Sequence, residues 1–243
     1  LARDLGGLGG VHLAQGQFDI ALEEYRRSLA IREKQDDASG VMWTLIHIGI
    51  LHSAQSRDAE ALESYQRALP LAESQGDQVA VCTILGLRGR NELARGQVDD
   101  AVTSSRLATT IAERLELHDV LAFARTTIGR AHHRAGRLEE ARAELEEAIA
   151  AADRIPVGPG IETFFDDRRG PYLALVDLLV SQDRGADAFT WSERARQRSL
   201  AVLLGGDGAV VVKGLSAEEG DEERRLAKAA RTAARIMCFM VEI

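Results

Sequence analysis

GQFDIA (16–21), SRDAEA (56–61), GQVDDA (96–101) and GRLEEA (136–141) stand 40 residues apart in one register. The same surroundings return with each: Gly9, Gly49, Gly89 and Gly129 lie seven residues before the turn, and Ala21, Ala61, Ala101 and Ala141 close the motif. A fixed period of this length marks tandem copies of one supersecondary unit, which cannot bury its apolar face alone and stacks on its neighbours. Apolar residues recur at helical spacing on both sides of each turn. The second copy predicts helices over Ala38–Gln55 and Asp58–Ser74, with loops at Asp36-Asp37 and Gly76-Asp77. Glycine inside a helix costs about 1 kcal/mol relative to alanine, so four copies concede roughly 3–4 kcal/mol unless close helix contact recovers it. The expected recovery is packing of the second helix on a bare first-helix backbone, with Tyr25, Tyr65 and Leu145 filling the space beyond. The fold class is all-α, an α-solenoid of antiparallel helical hairpins.

Composition agrees. Aromatic residues make up 5% of the 243, prolines number 4, and Ala, Leu, Glu and Arg dominate, a mixture that favours helix over strand. The net charge of −8 and pI near 5.4 argue against sequence-independent nucleic-acid binding, which needs a basic surface. Cys82 and Cys238 form no CxxC, so neither a disulfide framework nor a zinc site is suggested and a reducing cytoplasm is expected. No apolar stretch reaches the roughly 20 residues of a membrane span, so no membrane contact is expected. The chain opens at Leu1 without methionine or a leader, and reads as a piece of a longer protein.

The order of large apolar residue, glycine, turn glycine and small second-helix residue resembles the tetratricopeptide repeat (TPR) family over residues 1–153, four repeats of 40 residues. The unit is longer than the family's commonest one, and Ser56, Asp58 and Ser105 stand where a turn glycine or an aromatic is usual. A loop follows at 154–170, carrying Pro156, Gly158, Pro159 and Gly160. A fifth, divergent hairpin spans 171–203, as Pro171–Gln182 and Ala186–Val202. Within it, RRGPYLALVDLLVSQDRGADAF and AFTWSERARQRSL (188–200), with the AVLLGGDG that follows, resemble the last repeat before the protease domain in bacterial CHAT-domain proteins, caspase-like peptidases fused to TPRs. That resemblance implies a linker at 204–215 and a charged C-terminal helix at 216–243, with Ser216 and Glu219 as a capping box, leading to a peptidase domain that this chain lacks.

No catalytic set is read in the chain itself, and it is expected not to be an enzyme. His12, His52 and His132 share one repeat position, with Glu92 in the remaining copy, which packing explains. His132-His133 point to different faces of a helix and His47 and His52 are five apart, so no metal is expected. Cys82 opens an apolar helix and reads as a buried, inert thiol, while Cys238 lies in the apolar end IMCFMVEI (236–243). GGLGG (6–10) lacks the Lys-Ser/Thr of a phosphate loop, and Glu139-Glu140 and Glu146-Glu147 read as a solvated helix face. No cofactor is expected.

Function is therefore sought on a surface. The TPR resemblance implies that the first helix of each hairpin lines a concave groove. The stripe beside the glycines holds Arg3, Trp43, Ile46, His47, Ile50, Arg90, Phe123, Arg130, His133 and Arg134. The four first-helix windows carry Arg3, Arg88, Arg90, Arg125, Arg130 and Arg134 against Asp4 and Glu92, a net charge of +4 in an acidic chain. Trp43, His47, Ile50, Arg90, Phe123, Arg130 and Arg134 are the predicted partner-binding residues, for an acidic protein or peptide or the protein's own C-terminal domain. The alternative is that Trp43 and Ile50 pack on the first repeat and the arginines pair with second-helix glutamates. The CHAT resemblance implies a scaffold and sensor arm of a peptidase; the other reading is the TPR sensor region of a bacterial transcriptional or signalling regulator.

Overall fold

The computed structural model describes residues 1–155 and 168–203, with side chains through residue 197. The described residues form ten helices and no strand: α1 (Ala2–Ala14), α2 (Phe18–Lys34), α3 (Ala38–Ala54), α4 (Asp58–Ser74), α5 (Gln78–Ala94), α6 (Val98–Arg114), α7 (His118–Arg134), α8 (Leu138–Asp153), α9 (Gly170–Ser181) and α10 (Gly185–Leu203). This is the all-α solenoid that the 40-residue period predicts, and the second unit ends within one residue of its expected bounds. Most of the Pro/Gly loop lies outside the described residues. So do the linker and the C-terminal helix, with Ser216, Glu219 and Cys238.

The turns explain why the period is so regular. Gly16, Ser56, Gly96 and Gly136 all adopt the left-handed conformation, with φ of 72°, 57°, 81° and 75°. The next amide then returns to the carbonyl five residues back: Gln17 to His12 and Arg57 to His52 at 2.8 Å, Gln97 to Glu92 and Arg137 to His132 at 2.9 Å. These bonds satisfy carbonyls that a helix end would leave open. Ser56 adopts this geometry without glycine's freedom, at a cost of about 1–2 kcal/mol. At the opposite turns, Asp37 and Asp77 cap α3 and α5, each Oδ1 accepting from the amide of Gly40 or Ala80 at 2.8 and 2.9 Å.

Each hairpin closes on its mid-helix glycine. A Cβ on Gly9 would lie 2.8 Å from the Tyr25 ring, and one on Gly129 would lie 2.6 Å from Leu145 Cγ. Gly49 meets Tyr65 and Gly89 meets Ser105 in the same way. Tyr25, Tyr65, Ser105 and Leu145 have no exposed surface, and neither do the alanines at 21, 61, 101 and 141.

Hairpins stack asymmetrically. The backbones of odd-numbered helices approach one another across hairpins, α1 to α3, α3 to α5, α5 to α7 and α7 to α9, whereas those of the even-numbered helices among the described residues stand further apart, α2 and α4 meeting through the long Arg67–Glu33 ion pair at 3.5 Å. The odd helices thus form the tighter, inner row and the even helices the wider, outer one. Gly86 assists the α5–α7 approach, since a Cβ there would sit 3.4 Å from the Phe123 ring. The main core runs through α3 to α7 around Met42, Ile46, Tyr65 and Ile84, and a second core joins α8 to α9 and α10 around Leu145, Tyr172 and Leu175.

Glycine contact and glycine propensity can be separated experimentally. Gly49→Ala adds a methyl inside the Tyr65 contact and is expected to destabilise by about 1–3 kcal/mol. Gly7→Ala, with nothing within 4 Å of the new atom, is expected to stabilise by about 1 kcal/mol through helix propensity alone. Urea unfolding followed by circular dichroism reads both; shifts of the same sign would refute the contact.

Candidate partner-binding groove

The inner row brings several predicted residues together. Trp43 and Ile50 on α3, with Phe123 on α7, are half-buried and packed against the main core. Their anchor is therefore the α3–α7 core and not the first hairpin alone. Ile46, placed on the same stripe by helical spacing, is fully buried. The correction has a geometric cause: α3 is flanked by α2, α4 and both neighbouring odd helices, so a wider arc of it is covered than one helical stripe allows.

Arg90 is half-buried on α5. Its guanidinium carbon stands 5.4 Å from the Phe123 ring centroid, within cation–π range, and Nη2 donates to Ser53 Oγ at 2.9 Å. Arg134, one repeat on, reaches back to donate to the Leu93 carbonyl at 2.9 Å. His133 Nε2 lies 3.0 Å from Ser181 Oγ on α9. Arg130 is exposed and, among the described residues, has neither a hydrogen bond nor an ion pair.

Two arginines counted from the sequence are neutralised locally. Arg88 Nε donates to Glu92 Oε1 at 2.6 Å. Arg125 bridges the second helices on either side of it, to Glu113 at 2.7 Å and Glu144 at 2.9 Å. Pairing with second-helix glutamates thus holds for Arg125. Arg3, Arg90, Arg130 and Arg134 remain without a carboxylate partner among the described residues, so the inner row stays cationic where α5 meets α7.

His47 is placed differently from its neighbours. Its ring stacks on Tyr25 of α2 at 5.6 Å, with planes 11° apart, which seats it in the junction between the first two hairpins. Burial drives its pKa down, a bond to the Trp43 backbone partly opposes this, and Arg32 adds to the fall. His52 and His132 are buried as well, and burial followed by nearby arginines lowers both. His132 Nδ1 accepts from Arg137 Nε at 2.8 Å, and His12 Nδ1 lies 2.7 Å from Glu24. Cys82 has no exposed surface, its Sγ donates to the Val79 carbonyl at 3.2 Å, and burial pushes the thiol up to about 11. Among the described residues no three His, Cys, Asp or Glu side chains gather as a metal site. Nor is any described helix long and apolar enough to cross a membrane.

A polar network beside Arg90 escaped the sequence reading. Asn91 Nδ2 donates to Ser53 Oγ at 2.9 Å and to Asp58 Oδ1 at 2.6 Å. The signal was present at Asp58, the one charged residue among the second-helix openers Phe18, Asp58, Val98 and Leu138.

These features define an all-α solenoid of stacked helical hairpins. The tetratricopeptide repeat family matches residues 3–74 and 80–154, more than half of the chain, and the protein belongs to that family. Among solved structures, BtubC (BKLC) from P. vanneervenii is similar at TM-score 0.66 and 18% identity, over 89% of this chain and 85% of that one. A Rap protein complexed with competence and sporulation factor superposes at 0.68 with 15% identity, over 79% of this chain and 52% of its own. Aspartyl phosphate phosphatase F from Bacillus subtilis gives 0.60 with 14% identity, over 88% and 61%. At these identities the likeness is one of fold. No curated protein matches the chain.

The buried histidines set a pH dependence. Their folded pKa values lie below the usual 6.5, so they stay neutral while the unfolded chain takes up protons as pH falls through that value. Stability is full above about pH 6.5 and is expected to drop as the pH falls below it. Melting temperatures at pH 7.5, 6.5 and 5.5 check this, and replacing His47, His52 and His132 by Gln should flatten the profile; an equally steep profile in the triple variant would assign the effect elsewhere.

Proposed function

We propose that the chain is a protein-interaction scaffold that holds an acidic protein or peptide segment along the inner row of odd-numbered helices and carries out no reaction itself. The observation that carries this reading is the set of arginines left without carboxylates on one face of an acidic chain: Arg90 held over Phe123, Arg134 anchored to Leu93, and Arg130 exposed. Guanidinium groups pair with carboxylates through charge-assisted, often bidentate bonds. Trp43 and Ile50 supply an apolar shoulder at one end, with His47 beneath it at the Tyr25 junction.

In finer terms, the array is the sensor arm of a CHAT-type bacterial cytoplasmic peptidase, and the partner's arrival, or the protein's own C-terminal domain, regulates catalysis elsewhere. The sequence likeness of residues 188–200 and the preceding helix supports this. A second reading, the TPR sensor region of a bacterial transcriptional or signalling regulator, draws support from the Rap protein whose structure holds a bound factor.

Arg130→Glu is the cleanest test, because that side chain holds nothing in the fold whereas Arg90 and Arg134 each do. Fluorescence anisotropy with a glutamate-rich peptide should show binding that salt weakens and that Arg130→Glu reduces by about tenfold, roughly 1.4 kcal/mol. Binding unchanged by the substitution would overturn the groove.

A further inference from the structure

At each of the first three junctions between consecutive hairpins the repeat places three residues together: the penultimate residue of one odd helix, the opener of the following even helix, and a residue near the end of the next odd helix. At the first junction these are Leu13, Phe18 and Leu51, in one apolar cluster. At the third they are Leu93, Val98 and Ala131, again in one apolar cluster. At the second they are Ser53, Asp58 and Asn91, joined by hydrogen bonds of 2.9 and 2.6 Å. All three positions have become polar together.

Beside them opens a cavity of about 380 Å³, lined also by Ile50, Ser56 and Arg90, a size that takes a side chain of a ligand. Asn91 is 1% exposed and holds Asp58 by one carboxylate oxygen, Oδ1. Asp58 Oδ2 has no partner among the described residues and is an open acceptor. Arg90 lines the same cavity and supplies donors, since Ser53 occupies only part of its five N–H groups.

The occupant follows from these charges. A carboxylate meets Asp58, an ammonium or guanidinium meets Arg90, and an alkyl group leaves Asp58 desolvated without a bond. A carboxamide suits both groups, its NH2 donating to Asp58 Oδ2 and its oxygen accepting from Arg90. We propose that this notch binds a glutamine or asparagine side chain; resting on the groove reading, it gives the bound segment a fixed carboxamide position.

The test titrates the full chain with N-acetyl-glutamine-N-methylamide, followed by amide NMR. Saturable shifts are expected at the Asn91 side-chain amide and at Ser53 and Ser56, with the glutamate and leucine analogues at least about tenfold weaker. Asp58→Asn replaces the open acceptor by a donor and should reverse the preference, admitting the glutamate analogue in place of glutamine. Asp58→Val with Asn91→Leu restores an apolar junction and should abolish the shifts while keeping the unfolding temperature at or above the parent's. Equal response to the leucine analogue, no saturable shift with glutamine, or glutamine binding unchanged in either variant would overturn the assignment. Arg130 lies outside the notch, so Arg130→Glu separates the two ideas. Loss of acidic-peptide binding without a glutamine response removes the notch alone, and the converse removes the groove alone.

Discussion

The molecule depends on a contact made four times, a bare glycine backbone on the inner helix against one side chain sixteen residues later on the outer helix. Gly9–Tyr25, Gly49–Tyr65, Gly89–Ser105 and Gly129–Leu145 set the separation within each hairpin. Glycine weakens each inner helix by about 1 kcal/mol, yet a methyl in its place would enter space already filled. An added Cβ would also meet backbone, 3.0 Å from the Ala101 carbonyl oxygen at Gly89 and 3.2 Å from the Ala141 carbonyl oxygen at Gly129, so the helices approach alike over Ser105 and over Leu145. The Ser105 hydroxyl is left buried without a partner among the described residues.

Hairpin geometry then decides the surface. Because the backbones of inner helices approach their inner neighbours more closely than those of outer helices do, the array curves toward the odd-numbered row. Curvature brings successive copies of a position near one another. It sets Phe123 of α7 under Arg90 of α5 and lets Arg134 reach the last turn of α5. Arg134 thereby adds a second donor to the Leu93 carbonyl, which also accepts from the Gly96 amide at 2.9 Å, and Arg130, lacking such a task, is left to solvent.

Most of the fold was legible because the repeat reports it four times. Period, turn positions, inner glycines and the burial of the outer-helix alanines each recur in the chain, and chance cannot align them. The groove was less legible. Helical spacing assigned Ile46, His47 and Ile50 to one stripe, but spacing carries no information about how many neighbours flank α3. Ile46 is covered completely, and His47 turns to Tyr25 across a junction that no local pattern encodes. Charge pairing was out of reach for a similar reason: Arg125 meets glutamates on α6 and α8, contacts set by stacking and not by sequence distance.

A strict repeat also supplies its own control, because each residue can be compared with its copies. Glu92 replaces a histidine and is answered within its own helix by Arg88, with one carboxylate oxygen paired and the other buried without a partner. Ser105 stands where the other copies have a large residue, and its hydroxyl packs against the Gly89 backbone. Each is a single departure absorbed where it occurs. Ser53, Asp58 and Asn91 differ in kind: three departures on three helices, mutually hydrogen-bonded and beside open volume. An apolar trio of similar size would be at least as stable at such a site, so packing alone gives no reason for all three to change together, whereas in the proposed notch Ser53 and Asn91 hold the two groups, Arg90 and Asp58, that meet the carboxamide.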